Sequence, residues 1–212
     1  EEAIECYNQS KLVENKDEKD NYADIHLANC YYLKNDLEHA ELLINKEKIT
    51  KNETSSSYKI RGAILRDKKE YDGAILNIEK WITKNPESGD AWYQLAWCNG
   101  EKGNHELALE YYKKDLEIND NFDETASYAI GYELEMLDRK KDARDWYKQK
   151  LSKHPQNIKM LTALAFLSRE FEDHDESIKN WDKISEITPN NQWIPFRKSA
   201  DLINQNKLEE SL

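Results

Sequence analysis

The chain has 212 residues, of which 38% are hydrophobic and 34% are charged, and its formal net charge at pH 7 is −11. An acidic surface repels phosphate backbones, so nucleic acid is disfavoured as the main partner, and no apolar run approaches the roughly 18 residues that a membrane-spanning helix needs. The hydrophobic share excludes wholesale disorder. The high share of charged residues favours an elongated protein, which has more surface per residue than a sphere.

The first predicted element is a helix over residues 1–16, interpreted as the second helix of a helix pair, with Ala3 at a position reserved for a small residue. A charged linker, Asn15 to Asn21, follows it. No signal-peptide pattern opens the chain. Because the sequence begins EEAIECY without Met, we expect the natural protein to begin earlier.

From residue 21 onward, small residues recur at a fixed spacing of 34 or 35 residues. One series is Ala40, Ala74, Ala108, Ala143, Ser177 and Ser211. A second series in the same register is Ala28, Gly62, Ala96, Gly131, Ala165 and Ser199. Three prolines share that register as well: Pro86, Pro155 and Pro189. Because three residue classes repeat together, the spacing indicates an internal structural repeat.

Helix packing explains the small residues. Two antiparallel helices joined by a short turn approach closely only where both carry small side chains, as Ala96 and Ala108 do. A single pair cannot bury its large apolar residues, so neighbouring pairs must stack. The chain reverses at residues that tolerate a left-handed backbone: Asn35, Gly103, Asp138 and Asn206.

These residues resemble the tetratricopeptide repeat (TPR), whose 34-residue pattern is W-x2-L-G-x2-Y, A-x3-F and P. The most similar repeat contains Trp92, Leu95, Ala96, Ala108, Tyr112 and Leu116. The preceding repeat contains Tyr58, Gly62, Leu65, Tyr71, Ala74, Ile82 and Pro86. Several positions depart from the pattern, because charged residues replace apolar ones: Glu47, Arg61, Asp115, Lys150 and Lys198.

The resemblance implies an all-α fold, a right-handed superhelical α-solenoid of antiparallel helix pairs. We expect one array over residues 1–212, with about five complete units and a partial unit at each end. The complete units are predicted at 21–54, 55–88, 89–122, 124–157 and 158–191, and residues 192–212 supply the last partial unit. Within it, Pro195 should lie in the first turn of a helix at Trp193–Asn204.

In TPR arrays the first helix of each pair lines a concave groove, as the resemblance implies. The positions that face such a groove are occupied here by Asn29, Tyr32, Lys59, Arg66, Tyr93, Trp97, Tyr128, Tyr132, Phe166, Arg169 and Phe196. The centre of this predicted groove is aromatic, and aromatic rings are enriched at binding hot spots. The alternative is that these rings only pack between neighbouring helices.

The sequence predicts a non-enzyme without cofactor or metal. It contains no Gly-rich phosphate loop and no spacing typical of a nucleophile–His–acid set. Cys6, Cys30 and Cys98 form no C-x-x-C pair, so they favour buried thiols in the cytoplasm or another reducing compartment. His105 and His174 lie at matching turn positions where an aromatic residue is usual, and we interpret them as packing residues.

The predicted function is a protein-interaction scaffold that binds a peptide or protein segment in the aromatic groove. The alternative is a TPR module of a larger bacterial enzyme or regulator, such as a surface-polysaccharide glycosyltransferase or a peptide-sensing regulator. RNA binding, known for related helical repeats, is disfavoured by the acidic charge. Trp193, Phe196 and Leu202 on the last helix predict possible end-to-end self-association.

One well-known TPR ligand is excluded by the residues present. Co-chaperone TPR domains hold a C-terminal carboxylate with Lys, Asn and Arg side chains on three successive first helices. Here Asn29 and Lys59 lie on different helices, and Tyr93, Trp97 and Ala129 occupy positions that such a clamp needs. We therefore expect no binding of chaperone tails.

Overall fold

The computed structural model describes residues 20–46, 53–119 and 124–205, and all regular secondary structure in these ranges is α-helical. The chain divides into two compact units, Glu1–Ile118 and Asn119–Leu212. The predicted all-α fold of antiparallel helix pairs is confirmed. The helix predicted at 1–16, the small position Ser211 and the turn residue Asn206 lie outside the described residues.

Unit 1 contains three described helix pairs. They are α1 (Asp20–Leu33) with α2 (Leu37–Ile44), α3 (Ser55–Asp67) with α4 (Tyr71–Lys84), and α5 (Gly89–Glu101) with α6 (His105–Ile118). In each pair the two helices contact one another along their length, and α4 also packs on α5. The core of unit 1 therefore forms within pairs and between neighbouring pairs, as a stacked repeat requires.

Unit 2 contains two pairs and a further helix. They are α7 (Glu124–Met136) with α8 (Lys140–Leu151), α9 (Ile158–Glu170) with α10 (His174–Ile187), and α11 (Trp193–Asn204), which packs on α10. Pro195 is the third residue of α11, where its missing N–H removes no helical hydrogen bond. The boundaries predicted for this helix match those of the structure.

The small residues mark the helix crossings. Ala28, Ala40, Ala96 and Ala108 are fully buried. A Cβ placed on Gly62 would lie 3.6 Å from the carbonyl oxygen of Ala74, an ordinary van der Waals contact, so these two helices cross closely. Side chains larger than alanine at such crossings would push the helices apart.

Three first helices begin at side chains that accept a hydrogen bond from the first turn. Thr54 accepts from the backbone N–H of Ser57 in a capping box, and Ser88 accepts from Ala91. Asn157 accepts in the same way from Met160. Each cap satisfies a backbone donor that the helix cannot pair internally.

Two of the charged departures from the repeat pattern, Arg61 and Lys198, have polar partners of their own. Arg61 donates to the carbonyl oxygen of Ile44 at 3.1 Å and forms an ion pair with Glu53 at 2.8 Å, so it satisfies the C-terminal end of α2. Lys198 forms an ion pair with Asp182 at 2.8 Å. These residues replace apolar packing with contacts between neighbouring helix pairs.

The turns within helix pairs adopt a left-handed backbone, as Asn35 (φ 62°), Gly103 (φ 84°) and Asp138 (φ 57°) show. The sequence pattern missed two further cases, Lys69 (φ 63°) and Glu172 (φ 60°). Neither residue type favours this conformation, since a Cβ crowds the backbone there. The repeat register imposes the geometry on whatever residue occupies the position.

Lys69→Gly is therefore expected to stabilise unit 1. Glycine removes the Cβ strain at φ 63°, and we expect a gain of about 0.5–1 kcal/mol in the free energy of unfolding. The reverse substitution Gly103→Lys at the equivalent turn should cost a similar amount. Urea denaturation followed by circular dichroism measures both effects. Equal midpoints for the two variants would show that a side chain at these positive-φ turns causes no backbone strain.

Candidate functional site

A cavity of about 100 Å³ lies in unit 1 among the first helices α1, α3 and α5, with the second helix α4 at its base. Its lining residues are Tyr32, Lys59, Ala63, Arg66, Ile78, Trp81, Asp90 and Gln94. Three of the predicted groove residues, Tyr32, Lys59 and Arg66, thus come together at one cavity. Its walls combine an apolar base with polar groups at the rim.

Arg66 organises one side of this rim. Its guanidinium donates to the Tyr32 hydroxyl at 2.7 Å, to Asp67 at 2.8 Å and to the Gln94 side-chain oxygen. The same guanidinium lies over the Trp97 ring, 5.2 Å from its centroid. These contacts hold Arg66 in one position, where its guanidinium interacts with the Asp67 carboxylate and with the face of the Trp97 ring.

The opposite side of the rim is an ion pair. Lys59 Nζ lies 2.6 Å from Asp90 and 5.0 Å from the centroid of the Trp81 ring. Gln94 donates to Asp90 at 3.3 Å, which ties the ion pair to the Arg66 side of the rim. The polar groups at the rim are therefore bonded to one another, and the base remains apolar.

The remaining predicted residues of unit 1 lie near helix contacts. The Trp97 ring packs edge-on against Tyr71 with centroids 6.1 Å apart, and Tyr93 packs against Tyr112 at 5.2 Å. Asn29 is half-buried on α1 and does not line the cavity. Packing accounts for much of the burial of both rings, as the alternative to a binding role anticipated.

In unit 2 the predicted aromatic residues are more exposed. Tyr128 stacks on Tyr147 and lies beneath Lys159 Nζ, while Tyr132 is 45% exposed. Phe166 is 39% exposed and packs edge-on against Trp181, with centroids 5.4 Å apart. These rings belong to the first helices α7 and α9, and they give unit 2 an aromatic surface.

The last helix carries two large exposed rings. Trp193 is 72% and Phe196 is 67% exposed, whereas Leu202 is buried. Exposed rings of this size on one helix are typical of a contact surface. The predicted self-association remains a prediction that these two rings would support.

The sequence pattern missed a buried carboxylate in unit 2. Asp201 is fully buried and accepts hydrogen bonds from Arg169 at 2.7 and 2.6 Å and from Ser177 at 2.8 Å. The His174 ring nitrogen lies 3.0 Å from Asp201, so this histidine has a polar role beyond the packing predicted for it. Arg169 also donates to the carbonyl oxygen of Arg197. The cluster joins α9, α10 and α11.

Burial controls the protonation of several groups. It raises the pKa of the Tyr32 and Tyr128 phenols above their ordinary value. Burial raises the pKa of the Cys98 thiol to about 11, which disfavours a reactive thiolate. Burial alone would raise the pKa of Asp201, but hydrogen bonds from Arg169, His174 and Ser177 outweigh it and hold that pKa below its usual value.

The described ranges contain no group of three or more His, Cys, Asp or Glu side chains placed to hold a metal ion. Within the same part of the chain, none of the helices has the length and apolar composition needed to cross a membrane. The geometry of both units instead offers apolar and aromatic side chains with polar groups beside them. That combination is typical of binding surfaces.

Several site residues escaped sequence reasoning. Ile78 and Trp81 come from a second helix, whereas the groove positions were taken from first helices only. Asp90 and Gln94 lie on α5, where the repeat pattern marks Tyr93 and Trp97 as groove positions. A search that considered every helix face, and not only the groove positions of first helices, would have included these four residues.

A model of the tetratricopeptide repeat matches residues 77–110. Among curated proteins, none matches the chain. The solved structure of YrrB, a TPR protein with an unusual peptide-binding site, is similar, with 21% identity, 92% of this chain and 98% of that chain covered, and a TM-score of 0.69. MamA has 22% identity, covers 76% of this chain and 87% of its own, and has a TM-score of 0.66. PilF of Pseudomonas aeruginosa has 11% identity, covers 90% and 88%, and has a TM-score of 0.72.

Proposed function

We propose that this chain, whose residues 77–110 match a model of the tetratricopeptide repeat, is a non-catalytic scaffold that binds a segment of another protein on the faces of its first helices. The observation that carries this proposal is the cavity of unit 1, whose apolar base lies beneath a rim of mutually bonded polar groups. Such a site binds by shape and apolar burial, with polar groups that set orientation.

The exposed rings of unit 2 support the same function. Tyr132 and Phe196 project from two first helices and remain 45% or more exposed. Aromatic side chains provide large contact areas at low entropic cost, which makes them suitable anchors for a peptide. The similar protein YrrB is described as having an unusual peptide-binding site, and we infer a peptide or protein ligand for this chain as well.

The test is selection of binding peptides from a phage-displayed random library on the folded protein. Lys59→Glu breaks the rim of the unit 1 cavity, and Tyr132→Ala removes an exposed ring of unit 2. We expect one or both variants to bind the selected peptides at least about tenfold more weakly, the effect of a typical hot-spot residue.

Two variants serve as matched controls. Lys113→Glu makes the same charge reversal on an exposed residue of the second helix α6, and Leu76→Ala removes an exposed apolar side chain of the second helix α4 that does not line the cavity. Both should bind like the unaltered protein. If the selected peptides bind all four variants equally well, the proposal that peptides bind on the faces of the first helices is wrong.

A further inference from the structure

The cavity of unit 1 has a counterpart in unit 2 that is filled by the protein's own side chain. Ala63 lies on α3, and Phe166 lies at the equivalent position of α9, three repeats later. Arg66 and Arg169 are equivalent in the same register, as are Gln94 and Arg197. The two sites can therefore be compared residue by residue within each unit.

The phenyl ring of Phe166 occupies its site through three ring contacts. It meets Trp181 edge-on with centroids 5.4 Å apart, and the guanidinium carbons of Arg169 and Arg197 lie 5.9 and 5.2 Å from its centroid. The counterparts of these three residues in unit 1 are Ile78, Arg66 and Gln94, and all three line the cavity. Unit 1 keeps Arg66 at one of these positions and has Ile78 and Gln94 in place of Trp181 and Arg197, and it lacks the ring because Ala63 replaces Phe166.

Size and polarity agree with a ring as the missing occupant. The cavity measures about 100 Å³, which is smaller than the apolar cavity of about 150 Å³ that encloses benzene, so it can take the edge of a ring while the rest of the ring stays at the rim. Ala63, Ile78 and Trp81 supply an apolar base for the edge of a ring. Arg66 offers its guanidinium, which favours an aromatic over an aliphatic group.

The rim argues against a charged occupant. A carboxylate side chain would have to displace Asp90 from Lys59 or Asp67 from Arg66, and a cation would compete with Lys59 and Arg66 themselves. An apolar ring leaves all these ion pairs intact. The ring therefore enters without a penalty for unpaired charges.

We propose that the unit 1 cavity binds an aromatic side chain of the size of phenylalanine, presented by the protein segment that the scaffold holds. This inference rests on the proposed function. The equivalent site of unit 2 is closed to such a side chain because Phe166 already fills it. The cavity thus selects for one aromatic anchor in the bound segment.

The test is a titration with N-acetyl-L-phenylalanine amide, observed at the indole N–H signals of Trp81 and Trp181 by ¹⁵N-resolved NMR. The signal of Trp81 should shift with a dissociation constant on the order of millimolar, as expected for a ligand of this size. N-acetyl-leucine amide should bind more weakly, and N-acetyl-aspartic acid amide should not shift this signal.

Three variants make the test specific. Ala63→Phe supplies the ring from within, so the shift of Trp81 should disappear, whereas the control Ala63→Ser keeps the cavity open and the shift. Phe166→Ala empties the counterpart site, and the phenylalanine probe should then shift the signal of Trp181 as well. Circular dichroism checks that each variant is folded.

Binding of the probe that persists in a folded Ala63→Phe variant would overturn the inference. So would a Phe166→Ala variant in which the Trp181 signal stays unshifted, which keeps the test decisive if Ala63→Phe does not fold. Selected peptides that bind without an aromatic residue would refute the anchor and leave the scaffold function standing. A probe that binds while no peptide does would refute the scaffold function and leave the cavity assignment standing.

Discussion

Gly131→Ala is expected to destabilise unit 2 by about 1–3 kcal/mol, because overpacking of a rigid core exceeds the helix propensity that alanine adds. A Cβ at this position would lie 2.2 Å from Cε1 and 2.3 Å from Cζ of Tyr147. That ring cannot easily move, since Tyr147 is fully buried, stacks on Tyr128 and donates a hydrogen bond to Glu135 at 2.9 Å.

Gly62→Ala is the matched control at the equivalent position of α3. There the nearest atom to a new Cβ is Ile78 Cγ1 at 3.0 Å, and the next contacts are 3.6 and 3.7 Å away. A flexible aliphatic side chain can adjust by this amount, so we expect a change within about 1 kcal/mol. The two substitutions differ only in what faces the glycine.

Urea denaturation and hydrogen exchange of unit 2 measure the difference between these variants. Tyr147→Leu removes the obstructing ring, so Gly131→Ala should cost less in the Tyr147→Leu background than in the unaltered protein. Equal stability of the Gly62→Ala and Gly131→Ala variants would refute the close approach at Gly131.

Asp201→Asn is expected to destabilise unit 2 by about 2–4 kcal/mol at neutral pH, since removing one partner of a buried ion pair leaves the other unsatisfied. Asparagine keeps the shape of the side chain but loses the charge that Arg169, His174 and Ser177 surround. The contacts of Asp201 join three helices, so their loss should loosen α11 from α10 and α9.

The effect of Asp201→Asn depends on pH in a defined direction. The pKa of Asp201 is lowered in the folded protein, so its stabilising contribution is fully present above the carboxyl pKa of the unfolded chain, about 3.9. It is lost as the pH falls through the lower folded-state pKa. The stability difference between the two proteins should therefore be constant from about pH 5 to 7 and shrink below about pH 4.

Denaturation curves of both proteins across this pH range test the prediction. The difference between them is the relevant quantity, because other carboxylates titrate in both proteins alike. Lys198→Ala, which removes the more exposed ion pair with Asp182, is the control and should cost no more than about 1 kcal/mol. If the stability difference between the unaltered protein and the Asp201→Asn variant persists unchanged to pH 3, Asp201 does not stabilise unit 2 through its charge.

Part of the candidate site followed from the repeat pattern. Tyr32, Lys59 and Arg66 were placed on one face by their positions in two first helices, and the structure brings them to one cavity. Ile78 and Trp81 were not predicted, because the pattern assigned second-helix residues to the core alone. Trp97 faces Tyr71 and Arg66, a contact set by the approach of neighbouring pairs.

The sequence by itself determined the helix pairs of this protein, because the spacing of Ala, Gly and Ser residues records where two backbones must meet. Packing at a crossing depends on the size of a few side chains, and the size of a side chain is visible in the sequence. The left-handed turns at Asn35, Gly103 and Asp138 could also be predicted, since Asn, Gly and Asp are the residue types that tolerate this backbone.

Only the tertiary structure decided which polar groups meet and which space stays empty. The partners of Asp201 come from two other helices, α9 and α10, and the left-handed turn at Lys69 is imposed by the helices on either side of it. The cavity beside Ala63 exists because its neighbours do not fill the volume that Phe166 fills in unit 2. Such features depend on distances between segments far apart in the chain, which a local pattern does not encode.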